Sequence, residues 1–280
     1  MCRHLGYVGP PVGVGELILR GPHSLYTQSW APVDMRAGGT INADGFGVAW
    51  WRRADVGTEG ARDAVTRYRN HAPIWTDPAV AEVLGQLESR SVVAAVRSAT
   101  VGMPVERCAC APFTDEHWAF SHNGVVPDWR ATLVAVVADL REVCTTATLF
   151  DSPAVLLQAE ALTDSAALWV LLRGLLGEID PAGPVTSPAD ALQLLVATVL
   201  RYQPSARLNL LLGNGIQLWA TTCWHALSVL VTDDYAVLSS EPYDADPRWQ
   251  SVVDHQLVTA TPGHCTITAL ELPATERVRS

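Results

Sequence analysis

Two rhythms of apolar and polar positions run along this chain. In the first part the period is two, or the apolar run is short, and both patterns indicate strands. Cys2–Val8 reads as one strand, and Phe46–Arg53 pairs with Ala64–Arg69 across a polar Asp55–Arg62 turn region. Ser91–Arg97 reads as a buried strand through "VVAAV", and Trp118–Ser121 as another, stopped by "NG". Helices begin later, where the period lengthens. Asp128–Val143 carries apolar residues at helical spacing, and "TDSAALWVLLRGLL" starts on capping residues before a Leu-rich run. "TSPADALQLLVATVL" puts Ser187 at an N-cap with Pro188 at the first helical position. The remainder reads as a meander over Arg207–Leu212, Ile216–Thr222, Leu227–Thr232 and Tyr235–Ser239, with a last hairpin of Leu257–Ala260 and Cys265–Leu270. Strands at both ends with helices between them predict a layered α+β fold. No repeat, linker or boundary divides the chain, so a single domain over residues 2–280 is expected.

Composition narrows the chemistry. At 280 residues with 49% hydrophobic and 17% charged positions, the chain has the makings of a sizeable core. A net charge of −10 argues against nucleic acid or an anionic membrane as partner. The best apolar stretch, Ala166 to Leu176, is broken by Arg173, and no apolar signal region opens the chain, so a cytoplasmic protein is expected. All 19 basic residues are arginine. Without lysine there is no Schiff base to pyridoxal phosphate and no Walker-type phosphate contact. Cys108 and Cys110, with His117 and His122 downstream, superficially suggest zinc, but the one-residue gap is shorter than the usual spacing. No metal and no cofactor are expected.

Four short stretches carry candidate chemistry, each with a plainer alternative. Loss of Met1 would leave Cys2 with a thiol and a free α-amine, which titrates near ~8 and can take the thiol proton. Otherwise Cys2 is an ordinary strand residue. In "VRSATVG", Arg97 ends a buried strand beside small and hydroxyl residues and suits a carboxylate, or else a surface ion pair. In "SHNGVV", Asn123 and Gly124 offer an amide and a backbone N–H for an oxyanion, or else form a hairpin turn. In "LTDSAAL", Asp164 could hold a cation or cap a helix.

Their order adds what each lacks alone. N-terminal Cys, then R-S-A-T, H-N-G and T-D-S resembles the class II glutamine amidotransferase group of N-terminal-nucleophile hydrolases. The blocks "MCRHLGYVGPP", "QSWAP", "NADGFG", "PIW", "VRSATVGMPVE", "APF", "ARLNLLL" and "SSEPYDADPRW" are similar to one branch of it. That branch releases glutamate from γ-glutamyl-hercynylcysteine sulfoxide in ergothioneine biosynthesis. The resemblance implies a four-layer αββα sandwich of two antiparallel sheets and a small-molecule γ-glutamyl substrate. It implies Cys2 as nucleophile and Asn123 and Gly124 as the oxyanion hole. Arg97, with Thr100 nearby, would hold the substrate α-carboxylate and Asp164 its α-amine. Ser98 and Val101 stand where the wider group commonly has tryptophan and histidine, which favours this branch over a glutamine-specific one. Two other readings remain: a glutaminase feeding ammonia to a separate synthase, and a non-catalytic γ-glutamyl-binding module. Phe46 replaces an expected tryptophan, and Ala131–Ser152 looks like an insertion. Asn42, Asp44 and Gly45 read as a supporting turn or a substrate contact, and "SEPYD" as structural. Ten tryptophans make an aromatic contact to the substrate's trimethylammonium plausible, with Trp30 and Trp75 in matched blocks.

Overall fold

Strand pairing sorts the chain into two antiparallel sheets, and the order of elements explains how it moves between them. The computed structural model describes residues 2–34, 36, 41–52, 63–144 and 148–273. Met1 and the Asp55–Arg62 turn region lie outside the described residues. Strands β1 (Arg3–Gly13), β2 (Phe46–Arg52), β3 (Ala64–Asn70) and β4 (Glu88–Val96) build one side. The chain then crosses to β5 (Phe113–Thr114), β6 (Ala119–Val125), β7 (Arg207–Gly213) and β8 (Leu218–Thr222). It returns with β9 (Ser228–Val231), β10 (Ala236–Ser239) and β11 (Gln250–Ser251), and crosses again for β12 (Gln256–Thr261) and β13 (His264–Ala269). The seven-stranded sheet has the order β11-β9-β10-β1-β4-β2-β3, and the six-stranded sheet β13-β12-β8-β7-β6-β5.

Alternation along each strand gives every sheet two apolar faces. Val8, Ala49, Val93, Leu211, Leu218 and Ala220 meet between the sheets. The other face of the seven-stranded sheet packs Leu5, Val48, Val92 and Val96 under the short helices α1 (Val14–Leu19), α2 (Leu25–Gln28) and α3 (Ala79–Glu82). The outer face of the six-stranded sheet is covered by α4 (Trp129–Val143), α5 (Asp164–Gly177) and α6 (Pro188–Tyr202). The result is the expected α+β sandwich, helices–sheet–sheet–helices. Among the described residues no helix is long and apolar enough to cross a membrane.

Three sequence expectations are corrected. Helices do not all begin late, because α1 and α2 precede the second strand. The meander is not one sheet: β7–β8 and β9–β10 lie in different sheets, and the chain crosses between Thr222 and Ser228. "NG" is not a turn either, since β6 runs through Asn123 and Gly124, which pair with Asn209 and Leu208. As for Ala131–Ser152, its helical part is integral to the core: Leu133, Val136 and Leu140 are fully buried with α5 and α6.

Candidate active site

The site begins where β1 and β4 end side by side. Arg3 pairs with Val96, so the register carried one step further sets Cys2 opposite Arg97. Both point from the sheet face that looks toward the second sheet, the face of His4, Gly6 and Val8. The half-buried Cys2 thiol donates a long bond to Ser98 O, 3.7 Å. Arg97 is locked through its backbone: its N–H donates to Gly45 O at 2.8 Å, and its carbonyl accepts from Asp44 N at 2.9 Å. Its guanidinium has only a 3.4 Å contact, from Nη1 to Asp44 O, and no carboxylate partner among the described residues. A half-buried guanidinium without an anion has its bidentate fork free for a carboxylate.

The "NADGFG" segment supplies the backbone bonds to this arginine. Asp44 Oδ2 accepts from Ala99 N at 2.7 Å, and Asn42 Nδ2 donates to Gln28 O at 3.1 Å. Gly45 has φ +115°, and a Cβ there would fall 2.4 Å from Cys110 Sγ. Thr100 is exposed in the loop beyond Arg97, where its carbonyl accepts from Met103 N at 2.9 Å.

What fixes the backbone of Cys2 was not foreseen from the sequence as a functional contact. Arg3 Nη1 donates to Cys2 O at 3.1 Å, and Arg3 Nε pairs with Glu241 Oε1 at 3.0 Å, both side chains buried. Glu241 also accepts from Val33 N and Asp34 N, at 2.9 and 3.1 Å. This agrees with the structural reading of "SEPYD". A charge pair buried this deeply holds geometry rather than adding much stability.

The facing sheet brings the remaining candidates. His4 Nδ1 lies 3.3 Å from Ser121 Oγ, closing the gap between β1 and β6. On the other side of His4, a Cβ at Gly6 would touch Leu218 and Leu211 at 3.1 and 3.2 Å. Leu218 pairs with Gly213, the partner of Ala119, so stepping back from His4 to Cys2 leads toward the Asn123 end of β6. The Asn123 side chain is buried, with neither Nδ2 nor Oδ1 hydrogen-bonded among the described residues. Native proteins seldom leave a buried amide so exposed to cost. At Gly124 a Cβ would sit 1.8 Å from Arg207 O and 2.5 Å from His122 Nε2, so only glycine fits. His122 bridges this edge to α5, with Nε2 2.9 Å from Arg207 O and Nδ1 3.0 Å from Ser165 Oγ.

Asp164 follows the N-cap Thr163 and is buried. Its carboxylate accepts from Val126 N and Ser165 N, each at 2.8 Å, and thereby ties the end of β6 to α5. A cavity of about 610 Å³ opens beside these elements, between Val101–Met103 of the Arg97 loop and Asp128–Arg130 of the turn into α4. Of the zinc-like cysteines, Cys110 is buried, which pushes its thiol up to about 11, and it donates to Asn70 O at 3.4 Å. Among the described residues no three His, Cys, Asp or Glu side chains converge on a metal position. Trp30 and Trp75 meet edge to face, centroids 5.8 Å apart.

Two histidines are kept neutral here. Burial lowers His4 and His225 to about 3, with His122 and Arg3 adding to it at His4, and Arg207 and Arg3 at His225. Because each folded value lies below the unfolded one, the unfolded chain binds the extra protons between pH 6.5 and 3, and stability falls as pH drops through that window. Denaturant titrations near pH 5 should therefore show uptake of about two protons on unfolding. A flat profile between pH 7 and 5 would mean that the histidines are already charged when folded.

Comparison with known proteins completes the description. A family model described as class-II glutamine amidotransferases matches residues 24–233. The chain is 38% identical over 272 residues to the gamma-glutamyl-hercynylcysteine sulfoxide hydrolase of Mycolicibacterium smegmatis, covering 96% of this chain and 100% of the relative. It is 41% identical over 273 residues to the protein of the same name from Mycobacterium tuberculosis, covering 97% of each. Among solved structures, a glutamine aminotransferase class-II domain protein from Silicibacter pomeroyi superposes with TM-score 0.57 at 21% identity, covering 96% of this chain and 99% of that one. The glutamine phosphoribosylpyrophosphate amidotransferase of B. subtilis superposes with TM-score 0.58 at 13% identity, covering 97% of this chain and 50% of that one. These two support the fold alone.

Proposed function

This chain belongs to the class-II glutamine amidotransferases, and from that premise we propose that it is a cytoplasmic γ-glutamyl-hercynylcysteine sulfoxide amidohydrolase. The observation that carries the reading is the Cys2 thiol held against Ser98 O, one residue past Arg97, whose guanidinium has no acidic partner among the described residues.

Removal of Met1 frees the Cys2 α-amine, which takes the thiol proton. The thiolate attacks the γ-carbonyl, and the oxyanion rests on Asn123 Nδ2–H and Gly124 N–H. The C–N bond then breaks, the amine leaves with the proton held by the α-ammonium, and a γ-glutamyl thioester remains on Cys2. Water, deprotonated by the same α-amine, attacks the thioester. The C–S bond breaks, glutamate departs, and the thiol regains its proton. Arg97 and Thr100 hold the α-carboxylate of the glutamyl unit, and Asp164 holds its α-ammonium. A receptor with both charges selects a γ-glutamyl group over a simple amide, which would leave those groups unpaired.

The test is glutamate release from γ-glutamyl-hercynylcysteine sulfoxide, glutamine and glutathione. The first should be strongly preferred, and Arg97→Lys should reduce its turnover severely, roughly 10²-fold, because a point charge cannot reproduce the bidentate fork. Preference for glutamine would point instead to a glutaminase. Release from none of the three would leave the non-catalytic binding module.

A further inference from the structure

A second cavity, of about 500 Å³, opens past the proposed oxyanion residue, and the glutamyl-binding candidates do not line it. Asn123 and Asn209 face one another across β6 and β7, and the next pair on that same face is Val125 and Arg207. These two line the cavity with Trp224, Asp254 and His255. Its volume lies within the usual range for small-molecule sites, roughly 300–1,000 Å³. A leaving group of ammonia's size, comparable to a water at about 30 Å³, would have no use for it.

The walls are built to present particular groups. Trp224 and His255 have φ of +89° and +58°, a region that residues with side chains enter at a cost. Asp254 Oδ1 holds both in place, accepting from Trp224 N at 2.7 Å and His255 N at 3.0 Å. Arg36 Nη1 clamps Trp224 O at 2.7 Å from the other side. Trp224 is left 39% exposed, with the Arg207 guanidinium 4.9 Å above its ring. Arg207 has no carboxylate partner among the described residues, so the ring face already carries a cation that no acid holds there.

We infer that this cavity is the subsite for the leaving half of the substrate, a zwitterionic amine bearing carboxylate and quaternary ammonium groups. Arg207 swings from the indole to a carboxylate. The trimethylammonium takes its place on Trp224, with the Asp254 charge alongside. The inference rests on the function proposed above and places the aromatic contact at Trp224 rather than at Trp30 or Trp75.

The experiment compares kcat/KM for γ-glutamyl-hercynylcysteine sulfoxide with that for γ-glutamyl-S-methylcysteine sulfoxide, which lacks the hercynyl group. Trp224→Leu and Asp254→Asn should each lower this ratio roughly tenfold. Asparagine keeps the Oδ1 that accepts both backbone bonds, so the second variant removes charge without releasing the turn. Trp75→Leu should leave the ratio within about twofold. An unchanged ratio in both cavity variants, or an equal loss in Trp75→Leu, overturns the inference. If the protein cleaves neither substrate, the function fails separately, and calorimetric titration with hercynine decides the subsite. Saturable binding weakened by Trp224→Leu supports it, and no binding, or binding indifferent to Trp224, overturns it.

Discussion

Cys2→Ala is expected to lower glutamate release from γ-glutamyl-hercynylcysteine sulfoxide by more than about 10⁴-fold while the protein stays folded. Removing a covalent nucleophile abolishes the route itself, and what survives is binding and oxyanion stabilisation without a bond to form. The fold should tolerate the change because the half-buried thiol makes one long bond, 3.7 Å to Ser98 O. Backbone placement comes instead from Arg3 Nη1 on Cys2 O, which alanine keeps. Stability should move by no more than about 1 kcal/mol, read by denaturant unfolding. The same mechanism demands that the α-amine be free. Protein whose measured mass includes Met1 should be inactive, since an acylated nitrogen cannot take the thiol proton. Full activity from such a preparation, or from Cys2→Ala, would end the proposal that Cys2 is both nucleophile and base.

The parts of the fold legible in the sequence were those governed by local chemistry. Thr163 and Ser187 were readable as caps, and each accepts the expected backbone bond, from Ala166 N at 3.1 Å and Asp190 N at 3.2 Å. The apolar spacing of Asp128–Val143 became α4, which starts at Trp129. What failed was decided by distant partners. Asn-Gly is a strong hairpin signal, yet pairing with β7 carries β6 straight through it, and His122 closes over Gly124 onto Arg207 O. The crossing between β8 and β9 has no local mark that distinguishes it from another hairpin. Arg3 and Glu241 are separated by 238 positions, and nothing in either neighbourhood announces the pair. For the site, residue types and order suggested Cys2, Arg97 and Asn123. That, among the described residues, Arg97 lacks an acid and Asn123 lacks any partner is visible only in three dimensions.

That unpartnered amide yields the sharpest separation of structure from catalysis. Asn123→Ala should lower kcat by roughly 10²–10³-fold, the usual cost of deleting one oxyanion donor. The same change should leave stability unaltered or raised by about 1 kcal/mol, because it removes a buried polar group that makes no hydrogen bond among the described residues. A structural asparagine predicts the reverse, a stability loss with activity following it. Gly124 cannot be probed this way: a Cβ 1.8 Å from Arg207 O would disturb β6 and β7, and any lost activity would report the fold. The decisive pair of measurements on Asn123→Ala is therefore single-turnover thioester formation and denaturant unfolding. Slow acylation with intact stability is what an oxyanion donor requires. Wild-type acylation would remove Asn123 from the mechanism and leave its buried amide without a function.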